Sequence, residues 1–144
     1  MTVHLLDVNV VLALLDQTHE HHTVALQWFE RVGRKGFATC PIVENGVLRI
    51  ASSTAYPNRP GGVDVVRRVL ASLCDRPRYV FWPDEISLLR PTSGAMSGVT
   101  SRQVTDVYLL ALAAHHGERL ATFDTSLPAD AVQGGEAALV TLPF

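Results

Sequence analysis

The sequence predicts an α/β fold built on a parallel sheet. Two observations carry this. Short apolar runs alternate with amphipathic runs of helical period, the order expected of β–α–β units. The longer runs also end on recognisable stops, such as Gly33 and Gly117. At 144 residues the chain fits one domain, taken as 1–144.

Val3–Leu6 reads as a buried strand ending at Asp7, and Asn9 as the cap of a helix to about Leu15. The spacing of Val24, Ala25, Trp28, Phe29 and Val32 predicts a helix over His21–Val32. Phe37–Thr39 is a short strand. Pro41 suits the first turn of a helix to about Ala51. Tyr56–Gly62 is turn-rich, and Val63–Cys74 is helical with Val66, Leu70 and Leu73 on one face. Arg78–Trp82 is a third strand and Glu85–Leu89 a short helix. Thr92–Ser101 is expected to be a flexible loop, and Thr105–His116 a strongly apolar helix. Arg119–Phe123 and Ala138–Leu142 are the last two strands.

Composition narrows the function classes. A hydrophobic fraction of 47% and a charged fraction of 18% exclude a disordered chain. A net charge of −2 neither requires nor excludes nucleic acid, since a local patch suffices. The cations are eleven Arg and Lys35, and Arg is the better phosphate fork. Two cysteines, Cys40 and Cys74, are too few for a disulfide framework or a cysteine-rich zinc site. No run reaches the ~18 apolar residues of a membrane helix. The opening MTVHLLDVNVVLALLD lacks the cationic start of a signal peptide, so no membrane partner and a cytoplasmic location are expected.

Four carboxylates occupy comparable positions. Asp7 ends the first strand and Asp124 the fourth. Glu44 and Asp106 each lie in the first turn of a helix. In an open parallel sheet, strand C-termini and helix N-termini share one edge, where ligands bind. All four are therefore expected to converge. Any one alone is ordinarily a cap. Clustered, they repel one another, and a divalent cation removes the conflict. An all-oxygen set suits Mg²⁺ or Mn²⁺, which activates water and neutralises charge in phosphodiester hydrolysis.

DVN at 7–9, CPIVENGVLR at 40–49, QVTDVYLLALAAHHG at 103–117 and LATFD at 120–124 together resemble the PIN domain, and more narrowly the VapC toxins of type II toxin–antitoxin modules. The likeness runs from residue 3 to about 142, and the segment at 52–100 carries little of it. It implies a three-layer α/β/α sandwich and a Mg²⁺-dependent endoribonuclease. It implies Asp7 and Asp106 as principal metal ligands, with Glu44 and Asp124 completing the site directly or through water. Asn9 would orient Asp7. Thr122 and Ser126 would hydrogen-bond ligands or phosphate. It further implies a VapB antitoxin partner, a homodimer, and transfer or ribosomal RNA as target.

Other signals are read as structural. His19, His21 and His22 stand at a helix entrance without further zinc ligands nearby. His115 and His116 suit a helix C-terminus. Trp28 and Phe29 read as core or interface, Arg67 and Arg68 as a solvated face, and Arg59 as an exposed loop residue. Arg49 either contacts phosphate or pairs with an acidic neighbour. An aspartyl-phosphate enzyme or receiver domain is disfavoured, because position 9 is Asn9 and the one lysine follows the wrong element. The remaining alternatives are a PIN nuclease outside toxin–antitoxin systems and a PIN-like binding module without catalysis.

Overall fold

A computed structural model describes residues 1–90, 94 and 96–142. Five strands form one parallel sheet: β1 (His4–Leu6), β2 (Phe37–Thr39), β3 (Tyr79–Phe81), β4 (Arg119–Thr122) and β5 (Leu139–Thr141). Their order is β3-β2-β1-β4-β5. Register is fixed by His4 opposite both Phe37 and Arg119, and by Leu120 opposite Leu139.

The helices are α1 (Val8–Leu15), α2 (His22–Arg31), α3 (Pro41–Ala51), α4 (Val63–Cys74), α5 (Val104–His115) and the single turn α6 (Gly135–Ala138). The chain moves outward from β1 through β2 to β3, then crosses to β4 on the other side of β1. Right-handed crossovers therefore place α1–α4 on one face and α5–α6 on the opposite face. The contacts agree: α1 packs on α2 and α3, α3 on α4, and α5 on α6, β1 and β4. This is the expected three-layer sandwich.

The core lies along β1, β2 and β4, whose Leu5, Leu6, Phe37, Ala38, Leu120 and Ala121 are wholly buried. α5 is buried over seven consecutive residues, Val107–Ala113, so its apolar character is not confined to one stripe. α4 is the reverse case. It buries only Val66, Leu70 and Leu73, the face its spacing predicts. Trp28 and Phe29 are core, and Phe29 meets Phe37 edge-on at 5.1 Å.

Two expectations change, and two further stretches gain a description. Asn9 does not cap α1. Asp7 is the N-cap, with its carboxylate accepting the Val8 N–H at 2.7 Å. Residues 85–89 form no helix: 85–87 are irregular and 88–89 lie in a turn. The loop expected at 92–101 partly lies outside the described residues; the rest holds a 3₁₀ turn at Met96–Gly98 and the start of another at Ser101–Gln103. The stretch after β4, unassigned from sequence, folds as a 3₁₀ turn at Ala129–Ala131 followed by α6.

The turn-rich loop is pinned through Asp16, the residue after α1. Its carboxylate accepts from the Tyr56 hydroxyl at 2.6 Å and the Asn58 amide at 2.8 Å. Burial works against the charged form, yet these bonds and those from Thr18 hold the acid down at about 2. Arg59 is not free, since its Nε donates to the Ser52 carbonyl at 2.7 Å. Among the described residues no helix is long and apolar enough to cross a membrane.

Candidate active site

The sheet reverses its direction of growth between β1 and β4. At such a switch point the crossovers diverge to opposite faces and leave a crevice beyond the strand C-termini. Asp7 follows β1 there and Asp124 follows β4. Asp106 enters from α5 on the far face.

Asp7 is 4% exposed. One of its oxygens accepts from Val8 N–H, and the other from the Thr122 hydroxyl at 2.7 Å. Thr122 is wholly buried, and its hydroxyl uses all its bonding capacity. It donates to Asp7 and accepts from the Asp124 N–H at 3.0 Å and the Asn9 amide at 3.5 Å. Asn9 Oδ1 also accepts from the Phe123 N–H at 3.4 Å. Asn9 thus positions Asp7 through Thr122, and Thr122 serves carboxylates rather than reaching solvent.

Asp124 is set by its own turn. Its Oδ1 accepts the Ser126 N–H at 2.8 Å and the Ser126 hydroxyl at 2.7 Å. α5 is tied to the same turn, because Gln103 Nε2 donates to the Ser126 carbonyl at 3.2 Å. That bond brings Asp106, three residues on, against Asp124.

The electrostatics follow. Burial pushes the Asp7 acid up, against the pull of Thr122 and Val8, and the Asp124 charge adds to the rise. Burial likewise raises Asp106, joined by repulsion from Asp7 and a hydrogen bond to Asp124, to about 7. Asp124 is held below the usual carboxylate range, first by the Ser126 bonds. Near neutral pH, Asp106 and Asp124 are thus a carboxyl–carboxylate pair sharing a proton.

Glu44 has a different set of hydrogen-bond partners. Its Oε2 accepts from Thr39 at 2.7 Å and Tyr79 at 3.3 Å, and it lines a separate hollow with Arg67, Leu70 and Cys74. One residue along a helix is a turn of about 100°. The α3 face toward Asp7 and Asp106 is instead Ile42, Asn45, Gly46 and Arg49, at i, i+3, i+4 and i+7. Asn45 and Gln103 are therefore site residues that were not singled out from sequence. The DVN-side packing of Gly46 was the available clue to the face. A Cβ there would stand 2.9 Å from Val8 Cγ2, so glycine lets α3 lie close on α1 without displacing that side chain.

The histidines are structural. His22 Nδ1 bonds the Ala13 carbonyl at 2.7 Å, and His19 Nδ1 accepts the His21 N–H at 3.0 Å. His115 and His116 lie nine and ten residues beyond Asp106, roughly 14 Å along α5, where His116 stacks on Trp82. Among the described residues no three His, Cys, Asp or Glu side chains already stand close enough to hold a metal ion. The donor chemistry nonetheless suits a hard cation: three carboxylates converge, and two share a proton that a divalent cation would replace.

Fold and site together define a class, an α/β/α protein with an acidic crevice at its switch point. Residues 4–131 match the PIN domain model. Among curated proteins of Mycobacterium tuberculosis, Ribonuclease VapC39 is 39% identical over 91% of this chain and 94% of its own length. Ribonuclease VapC44 is 41% identical over 90% and 92%. Ribonuclease VapC38 is 37% identical over 85% and 86%. The chain belongs to the PIN domain family, among its VapC members.

Two outcomes test this geometry. Thr122→Val keeps the volume but leaves a buried Asp7 oxygen without its donor. It should cost about 1–3 kcal/mol in urea unfolding, with Thr122→Ser closer to wild type. Equal losses in both variants would show that the hydroxyl is not the joint. The second outcome concerns Asp106, whose raised pKa favours the protonated form in the folded state. Its stabilising contribution is full below about pH 4 and is lost as pH rises through about 7. In metal-free protein at pH 8, Asp106→Asn should therefore raise stability by about 1 kcal/mol after solvent screening, ~3 °C in Tm. The gap should narrow at pH 5. A gap independent of pH would contradict the crowding of these carboxylates.

Proposed function

We propose that this protein is a Mg²⁺-dependent endoribonuclease, with Mn²⁺ as substitute, acting as the toxin of a VapBC-type module. The convergence of Asp7, Asp106 and Asp124 at the switch point carries the reading. Relatives named as ribonucleases, matching over about nine-tenths of the chain, support the substrate class. Asp7, Asp106 and Asp124 would hold the cation, Asp7 and Asp106 as principal ligands. The bound cation supplies charge neutralisation at the phosphate and activation of water.

The protein's own residues prepare the crevice. Thr122 and the Val8 amide fix both Asp7 oxygens, so this carboxylate meets a ligand without reordering. Ser126 holds one Asp124 oxygen and leaves the other toward Asp106. The shared proton leaves when a cation binds, so cation affinity should rise with pH. Glu44, bonded to Thr39 and Tyr79, is assigned to β2–β3 packing rather than to the cation. A VapB-type antitoxin, a homodimeric assembly, a cytoplasmic location and a transfer or ribosomal RNA target complete the proposal.

The purified protein should cut RNA in Mg²⁺ or Mn²⁺ and stop in chelator. Asp7→Asn and Asp106→Asn should lower the rate by roughly 100-fold or more with the fold intact. Glu44→Gln should keep most activity and lose stability. Full activity in both aspartate variants would refute the site, and loss of activity in folded Glu44→Gln would return Glu44 to it.

A further inference from the structure

Arg49 stands on the α3 face that shares a groove of about 770 Å³ with Asp7 and Asp106. Val8, Ile42, Asn45, Gly46, Val63 and Thr105 also line the groove. Among the described residues, Arg49 is the only cation lining it, and Asp7 and Asp106 are the only anions. Among the described residues Arg49 forms no ion pair, whereas Arg34 and Arg76 both engage Glu30. Arg49 is exposed.

A solvated surface arginine is the ordinary explanation for such a residue. Two features argue against it here. Gly46 lets α3 approach Val8 closely, and this fixes the 45/49 face beside the acidic crevice. Asn45 lies one turn earlier on the same face, about 6 Å along the axis, and adds an amide donor next to the fork. An acidic crevice repels a polyanion, so a strand whose scissile phosphate enters it needs a cation nearby to hold a neighbouring phosphate. Arg suits this, because its planar fork bonds two phosphate oxygens at once.

We propose that Arg49, with Asn45 beside it, is a substrate-positioning residue that grips a backbone phosphate of the RNA strand, adjacent to the bond presented to Asp7 and Asp106. The proposal rests on the nuclease reading above. Of the two roles open from sequence, phosphate contact and pairing with an acid, the structure favours the first.

The test is fluorescence anisotropy with a short fluorescein-labelled single-stranded oligoribonucleotide, in chelator, over a series of KCl concentrations. Arg49→Ala should weaken binding about 5–20-fold at low salt and lower the slope of log K against log salt by about 0.7, one phosphate contact. Arg49→Lys should recover part of the affinity. Arg68→Ala, an equal charge change on exposed α4, should leave affinity and slope unchanged. In Mg²⁺, Arg49→Ala should raise KM and leave kcat nearly constant. Unchanged affinity and slope in Arg49→Ala, or an equal loss in Arg68→Ala, would overturn the proposal. Failure of the nuclease reading would look different: no Mg²⁺-dependent cleavage by wild type, with the Arg49 effect on binding intact.

Discussion

The hydrogen bond from Thr122 to Asp7 joins the ends of the two central strands, and the crevice is arranged around it. A carboxylate 4% exposed to solvent is costly unless its oxygens are bonded. Here Val8 N–H takes one oxygen and Thr122 the other. The same hydroxyl accepts the Asp124 N–H, so the second acid is placed by the group that satisfies the first. The third, Asp106, arrives on α5, which Gln103 ties to the Asp124 turn. Three carboxyl groups are thereby held together, and burial, joined by repulsion from Asp7, raises the pKa of Asp106 to about 7.

The topology makes this arrangement possible. Because β2 and β4 flank β1 on opposite sides, the chain leaving β1 and the chain leaving β4 diverge. The gap between them receives side chains from both helical layers, α3 from one and α5 from the other. A glycine at position 46 narrows one wall, and the buried run of α5 fixes the other. Asp7, Asp106 and Arg49 line one groove, a combination of acids and a cation that suits a phosphate chain.

Much of this was legible in the sequence, and the reasons differ by element. Phe37–Thr39, Pro41–Ala51 and Val63–Cys74 form as spacing and Pro41 require, because local pattern and tertiary burial agree there. The acids at 7, 106 and 124 were legible because position at a strand end or helix start fixes their edge. The bonds of Glu44 to Thr39 and Tyr79 were not legible, because being in a helix's first turn fixes the edge but not the face. Asn9 was misread as a cap because Asp7, already at the strand end, takes that role itself. The stretch 85–89 has helical composition but no hydrogen-bonded continuation. The central part played by Thr122 was hidden, since its three partners are 2, 113 and 115 residues distant in sequence.

The central claim is that the Thr122-centred acids form a cation site. Anomalous diffraction from crystals soaked in Mn²⁺ tests it most directly. The account expects a peak among Asp7, Asp106 and Asp124, with the Asp106–Asp124 hydrogen bond replaced by bonds to the ion. A peak at Glu44 and Tyr79, or none at the switch point, would contradict it.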